Sequence, residues 1–300
     1  KKIEQELAEM LRLIDELEDL LAHPIKLYGL IKKDLLDVKQ RFGDERRTKI
    51  RDEEAEDFTA EDLIPDEDVM VAISARGYVK RAPADQYRAQ PRRSGARAAA
   101  AAVSKEQDPP ALLHEANTHD SILFFSNLGK VYVMKCHEIP AADRQARGTP
   151  LNNFLSTTGD ESIVGVVAQR EQNSGSVTLI TRSGEMKRVL LADLAGARAS
   201  GLNVIALADK DEVVWAGQAA PDQEIVIVTA AGKAIRFTPE VEARASGRGS
   251  GGVRAIKLDD DKVVAVDLVD KDAELMVLSG LGLAKRTGMA QYSPQGRAGG

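Results

Sequence analysis

Lysine and arginine recur in this sequence at a fixed distance after a glycine. Tyr78-Val-Lys-Arg81 follows Gly77, and Glu185-Met-Lys-Arg188 follows Gly184. Lys233-Ala-Ile-Arg236 follows Gly232, and Leu283-Ala-Lys-Arg286 follows Gly282. Cations held at one place in a repeating unit form a rim, and a positive rim can follow a curved phosphate backbone without reading bases. Candidate phosphate contacts are Arg76, Lys80, Arg81, Arg88, Arg92, Arg93, Arg97, Lys130, Arg182, Lys187, Arg188, Lys233, Arg236, Arg248, Lys285 and Arg286. A single Arg-Ser-Gly run reads as a solvated turn; recurrence is what points to a polyanion. With roughly six to ten such contacts, affinity falls by about 10³ to 10⁵ between 50 and 200 mM salt. Bending 20–30 base pairs through 40–90° costs on the order of 1–6 kcal/mol. A distributed set of contacts, not one residue, must therefore carry the interaction.

No other residues have the spacing of a reactive centre. His23, His114, His119, His137 and Cys136 show no metal-ligand spacing, so no metal site and no cofactor is expected in the chain. His119 and His137 read as local hydrogen-bond partners. Cys136 reads as a small buried hydrophobe, and a single cysteine suits a reducing cytoplasm. Of Tyr28, Tyr78, Tyr87, Tyr132 and Tyr292, Tyr78 and Tyr132 follow a repeat glycine and are expected to pack in strands. No catalytic residue is assigned. No run of 18 apolar residues exists, so no membrane span is expected. Lys1-Lys2-Ile3 leads into a charged helical pattern rather than a signal peptide, and the missing Met predicts that residues precede it.

The elements that would hold these cations are short strands. From residue 68 the hydrophobic period is two, and apolar β-branched runs alternate with turn residues. Five segments share a strand, a glycine turn and a second strand, with Gly77, Gly129, Gly184, Gly232 and Gly282 lying 52, 55, 48 and 50 residues apart. An Arg/Ser/Gly-rich loop follows, then strands beginning after Gly201 and Gly252, then strands expected to open the next unit at Ser162, Glu212 and Lys262. About four strands per 50 residues is the pattern of a propeller-like ring of small sheets. The fold class is thus mainly β over residues 68–300, with about five repeats. The fifth stops before its closing strand, so a further repeat is expected beyond Gly300.

Residues 1–50 differ. Ile3, Leu7, Met10, Ile14, Leu17 and Leu21 recur every three or four residues, an apolar seam on a charged helix. Pro24 interrupts it; Ile31, Leu35, Val38 and Phe42 resume it, and Gly43 is the expected stop. Residues 52–68 hold ten acids and no base, so 51–67 reads as an acidic linker with the domain boundary near residue 60. Residues 1–67 carry 12 Lys/Arg and 20 Asp/Glu, which leaves 29 and 27 for the remainder. The overall charge of −6 therefore hides a slightly positive second part. There, residues 76–97 hold seven cations against Asp85 alone.

Two stretches resemble one family. They are Asn117-Thr-His-Asp-Ser-Ile-Leu-Phe-Phe-Ser-Asn-Leu-Gly-Lys-Val-Tyr132, continuing to His137-Glu-Ile-Pro-Ala-Ala-Asp-Arg-Gln-Ala-Arg-Gly-Thr-Pro150, and Arg41-Phe-Gly-Asp-Glu-Arg-Arg-Thr-Lys-Ile50. With the repeats, they resemble the C-terminal domain of the DNA gyrase A subunit across nearly the whole chain. The resemblance implies a β-pinwheel whose blades exchange strands, preceded by an α-helical coiled-coil tail. It implies a DNA-binding and wrapping module of an ATP-dependent type II topoisomerase that introduces negative supercoils, in the bacterial cytoplasm at the nucleoid. The partners implied are double-stranded DNA, a second gyrase A subunit joined through other parts, and the gyrase B subunits of an A2B2 complex. The B subunits would supply ATP hydrolysis and the magnesium site, and the DNA-cleaving tyrosine would lie upstream. Supercoiling members carry a box of the form Gln-Arg-Arg-Gly-Gly-Lys-Gly. Here Gln90, Arg92, Arg93, Gly95 and Arg97 keep its chemistry, while Pro91, Ser94 and the run Ala98–Ala102 depart from it. The related topoisomerase IV A subunit lacks the box and is the nearest competing reading. The acidic pI also fits a propeller used as a protein scaffold with no nucleic-acid role.

Overall fold

The computed structural model describes residues 1–44, 48, 60–87, 108–144, 146–170 and 175–299. Arg88 and the box residues Gln90, Arg92, Arg93, Gly95 and Arg97 lie outside the described residues, as do 51–59 of the acidic linker. The chain divides into two compact units, Lys1–Asp57 and Phe58–Gly300.

The first unit holds α1 (Lys2–Ala22) and α2 (Pro24–Phe42). They part at His23, which is extended, because Pro24 has no amide to continue the first helix and its fixed φ suits the start of the second. Gly43 ends α2 with its amide on the Lys39 carbonyl at 2.8 Å. Neither helix buries a residue; the seam residues Ile3, Leu7, Met10, Ile14, Leu17 and Leu21 are all exposed.

The second unit is strand after strand. Its elements are β1 (Asp68–Ser74), β2 (Tyr78–Pro83), β3 (Pro110–Asn117), β4 (Ser121–Ser126), β5 (Lys130–Lys135), β6 (Thr149–Pro150) and β7 (Ile163–Gln169). Then come β8 (Ser176–Thr181), β9 (Glu185–Leu190), β10 (Leu202–Asn203), β11 (Val213–Gln218), β12 (Ile225–Thr229) and β13 (Ala234–Phe237). The last are β14 (Val253–Arg254), β15 (Val263–Leu268), β16 (Glu274–Leu278) and β17 (Ala284–Gly288).

They form five antiparallel sheets, ordered β3-β1-β2-β6, β10-β5-β4-β7, β11-β8-β9-β14, β13-β12-β15 and β16-β17. Each of the first three blades borrows its outer strand from the next repeat: β6 pairs with β2, β10 with β5, and β14 with β9. The expected strands after Gly201 and Gly252 exist, but they are two residues long and belong to the preceding sheet. The strands expected to open the next unit instead close their own, since β7 pairs with β4, β11 with β8, and β15 with β12.

Blades stack through both faces of their central strands. On β4, Ile122 and Phe124 enter a core with Val71, Val79 and Leu155, while Leu123 and Phe125 enter another with Val177, Leu179 and Val204. On the third blade Ile180 and Met186 meet Ile225, Ile227 and Phe237 of the fourth. Two-sided burial explains the continuous apolar run Ile-Leu-Phe-Phe, where a one-faced strand would alternate. The fifth blade is only partly covered: Met289 and Leu275 pack on Val226, while Met276, Leu278 and Leu283 are exposed.

Candidate nucleic-acid interface

Every blade carries the same hairpin corner. The repeat glycines have φ between 74° and 84°, a region that only glycine enters freely. Each glycine amide donates to the carbonyl three residues earlier, on Ser74, Ser126, Thr181, Thr229 or Ser279. The hydroxyl of that same residue accepts the amide of the residue after the glycine, at 3.1 to 3.3 Å. The Ser/Thr-x-x-Gly spacing thus sets where each second strand starts, and with it the register of every cation.

The borrowed strands meet these corners. Leu151, Val204 and Ala255 donate their amides to the carbonyls of Gly77, Gly129 and Gly184. The loop leading in must lie flat on the blade beneath, and glycine makes that possible. At Gly201, φ is +83° and a Cβ would sit 2.6 Å from the Tyr132 ring. Between two such loops lies a groove of about 720 Å³, lined by Lys130, Ser200, Gly201, Asn203, Gly247, Arg248 and Gly249 among others.

The structure divides the predicted cations into two groups. The first group points into protein. Arg236 donates to Glu224 of its own blade and to the carbonyls of Met289 and Tyr292 in the next repeat, at 2.8 and 3.1 Å. Arg188 binds Ser176 of its own blade and the Ala243 carbonyl of the next repeat, both at 2.8 Å. Arg81 donates to the Ile139 carbonyl at 2.7 Å. All three sit four residues after the turn glycine and fasten one blade to the next. Lys187 and Lys80, three residues after it, donate to loop carbonyls. Burial pushes both ammonium groups below the usual lysine range, and for Lys80 the neighbouring Arg144 adds to that. Lys187, Arg188 and Arg236 are buried, so the expectation that they touch phosphate is corrected: their donors are used inside the fold.

The second group stays at the surface. Lys130 lies 3.6 Å from Glu161, Lys233 lies 4.0 Å from Asp259, and Arg286 lies 3.2 Å from Glu274. Arg182 is paired with Glu212. The Lys233 and Arg286 pairs are exposed on both sides, and such pairs are weak and can exchange partners; the Glu161 carboxylate beside Lys130 is buried. Arg76, Arg248 and Lys285 are exposed, with no carboxylate in ion-pair reach among the described residues.

Sequence reasoning passed over further cations on the same loops. Arg144 and Arg147 precede β6, Arg198 precedes β10, Arg254 lies in β14, and Arg297 lies in the segment whose Gln295 amide meets the Arg236 carbonyl. Arg147 stacks 4.3 Å from the Tyr78 ring centroid and donates to its hydroxyl at 2.7 Å. Arg144 lies 5.4 Å over Tyr87. The signal was the arginine a few residues ahead of the glycine before each borrowed strand, in a loop already recognised as Arg-, Ser- and Gly-rich.

No group of three or more metal-ligating side chains occurs among the described residues. Cys136 is fully buried, and burial pushes its thiol up to about 11. His119 Nε2 is 3.0 Å from the Ile64 carbonyl. No described helix is long and apolar enough to cross a membrane.

The repeating blade, with its glycine hairpin, inner strand and borrowed outer strand, has counterparts among known proteins. The family described as "DNA gyrase C-terminal domain, beta-propeller" matches residues 68–98, 120–170, 176–219, 223–270 and 273–300, one segment for each of the five sheets. The chain belongs to this DNA gyrase C-terminal domain family. The DNA gyrase A subunit of Dehalogenimonas lykanthroporepellens is 39% identical over 302 residues, spanning all of this chain and 37% of that protein. The DNA gyrase A subunit of Mycobacterium tuberculosis is 36% identical over 302 residues, again over the whole chain and 36% of that protein. The chain therefore spans little more than a third of these relatives. Among solved structures, the C-terminal domain of a DNA topoisomerase IV shares 27% identity with a TM-score of 0.63, over 79% of this chain and 72% of that one. A DNA gyrase A C-terminal domain shares the fold, at 24% identity and a TM-score of 0.59, over 78% and 75%.

Proposed function

We propose that this gyrase-family domain binds duplex DNA along the rim formed by its borrowed-strand loops and wraps it. The observation that carries the reading is the repetition of one surface unit: an arginine-bearing, glycine-flattened loop seated on the hairpin corner of successive blades. Such loops bring guanidinium groups close to a phosphate backbone, and their even spacing suits a bent duplex rather than a base sequence. Arg76, Lys130, Arg182, Lys233, Arg248 and Lys285, with Arg144, Arg147, Arg198 and Arg254, form the proposed contact set. Arg88, Gln90, Arg92, Arg93, Gly95 and Arg97 are proposed to extend it in the first blade.

The whole enzyme belongs to the same proposal. The module would serve an ATP-dependent type II topoisomerase of the bacterial cytoplasm, with DNA cleavage carried upstream. The gyrase B subunits would supply ATP and magnesium chemistry in an A2B2 assembly. Titrating the chain with duplex DNA at several salt concentrations tests the reading. A log-log slope near −0.9 per phosphate contact, for roughly six to ten contacts, is expected. Salt-independent binding would sink it.

A second reading has its own support. The likeness to a topoisomerase IV C-terminal domain, together with the lost glycines of the box, favours an arm that binds DNA without strong wrapping. Replacing Arg92, Arg93 and Arg97 with alanine in the full enzyme separates the two. Loss of supercoiling with relaxation kept supports gyrase, and no loss supports the topoisomerase IV reading.

A further inference from the structure

The residue three places after each turn glycine is Lys80, Tyr132, Lys187, Ile235 and Lys285 in successive blades. In the first four blades it forms the floor beneath a segment from the next repeat, and that floor comes in two kinds. Under Gly201 it is the Tyr132 ring, and beside Gly299 it is Ile235; both floors are apolar. In the first and third blades it is an ammonium. Lys187 Nζ donates to the carbonyls of Arg248 at 3.0 Å and Ser250 at 2.5 Å, and Lys187 is only 2% exposed. Lys80 Nζ donates to the carbonyls of Asp143, Arg144 and Ala146 at 3.2, 2.6 and 2.7 Å.

No carboxylate pairs with Lys187 among the described residues; loop carbonyls are its hydrogen-bond partners. Burying an ammonium is unfavourable unless its donors are met, and Ile235 shows that such a segment can sit without one. The charge must therefore do something that packing does not. It fixes the direction of the peptide groups. With the Arg248 and Ser250 carbonyls drawn inward, the Arg248 side chain is exposed. The Arg248 and Gly249 amides are bonded to nothing among the described residues. Outward amides beside a guanidinium are a suitable seat for a phosphate.

We propose that Lys187, and Lys80 in the first blade, are positioning residues for the phosphate-binding loops. Each holds its loop by the carbonyls and touches no DNA itself. The proposal rests on the duplex-binding reading above.

The test is a double-substitution cycle in the 300-residue chain. Arg248→Ala alone should weaken duplex binding about tenfold, the value of one charge-assisted contact. Lys187→Met should weaken it by a similar factor. In the Lys187→Met background, Arg248→Ala should cost less than twofold, because the arginine is no longer aimed. Hydrogen exchange without DNA should show residues 246–252 opening faster in Lys187→Met while β12 and β13 keep their protection. A loss of fold from Lys187 merely as core would lower protection throughout. Lys80→Met with Arg144→Ala gives the same cycle in the first blade, should Lys187→Met fail to fold. Additive effects of the two substitutions, with the unaltered chain binding duplex in a salt-dependent way, would overturn the positioning role alone. Absence of salt-dependent binding by the unaltered chain would overturn the duplex reading and this proposal with it.

Discussion

Arg236 and Arg198 are the same residue type in opposite surroundings: one is buried in a joint between blades, the other exposed and proposed to contact DNA. Arg236 is buried between Glu224 and two carbonyls of the next repeat. Arg236→Ala would leave Glu224 and those carbonyls unmet, so we expect a loss of about 3–5 kcal/mol in urea unfolding. Arg198 is exposed on a loop. Arg198→Ala should change stability by less than about 0.5 kcal/mol and reduce the salt slope of duplex binding by about 0.9. A third residue-scale prediction concerns His114. Its Nε2 accepts the Ala168 amide at 3.2 Å, joining blades one and two, and a backbone amide can only donate. The ring must be neutral there, and burial holds its pKa below the usual 6.5, with Asp120 and Glu115 opposing. Its contribution to stability is present above that value and is lost as pH falls through the lower folded one. Unfolding midpoints should drop on acidification below pH 6.5, and His114→Gln should flatten that part of the profile.

At the scale of elements, the hairpins were legible in the local pattern, whereas the strand exchange was implied by the family resemblance alone. Ser/Thr-x-x-Gly followed by a β-branched run announces each corner, because only glycine tolerates the turn's positive φ and the hydroxyl locks the next amide. Thr149–Pro150, Leu202–Asn203 and Val253–Arg254 carry too few residues to show a period. Their partner is chosen by the neighbouring blade, not by local pattern. The same blindness led Lys187, Arg188 and Arg236 to be read as surface charges, since a strand's alternation does not reveal that a loop from the next repeat will cover it. Gly201→Ala tests the seat of one borrowed strand. With φ at +83° and the Tyr132 ring 2.6 Å from the new methyl, we expect a loss above about 1 kcal/mol and faster hydrogen exchange at Val204. On the helical unit the sequence seam and the structure agree: α1 and α2 expose an apolar stripe throughout.

For the molecule as a whole, the net charge of −6 conceals how the charges are placed. The acidic residues concentrate before residue 69, while the blades distribute arginine along the borrowed-strand loops. A rim of this kind gives many modest contacts, enough together to offset the cost of bending DNA, with none of them indispensable. The most direct test of that account is to bind the chain to nicked circular DNA, seal the nick, remove the protein and read the linking number. A shift that grows with bound protein and fades with added salt is the predicted result. Salt-sensitive binding that leaves the linking number unchanged would contradict wrapping.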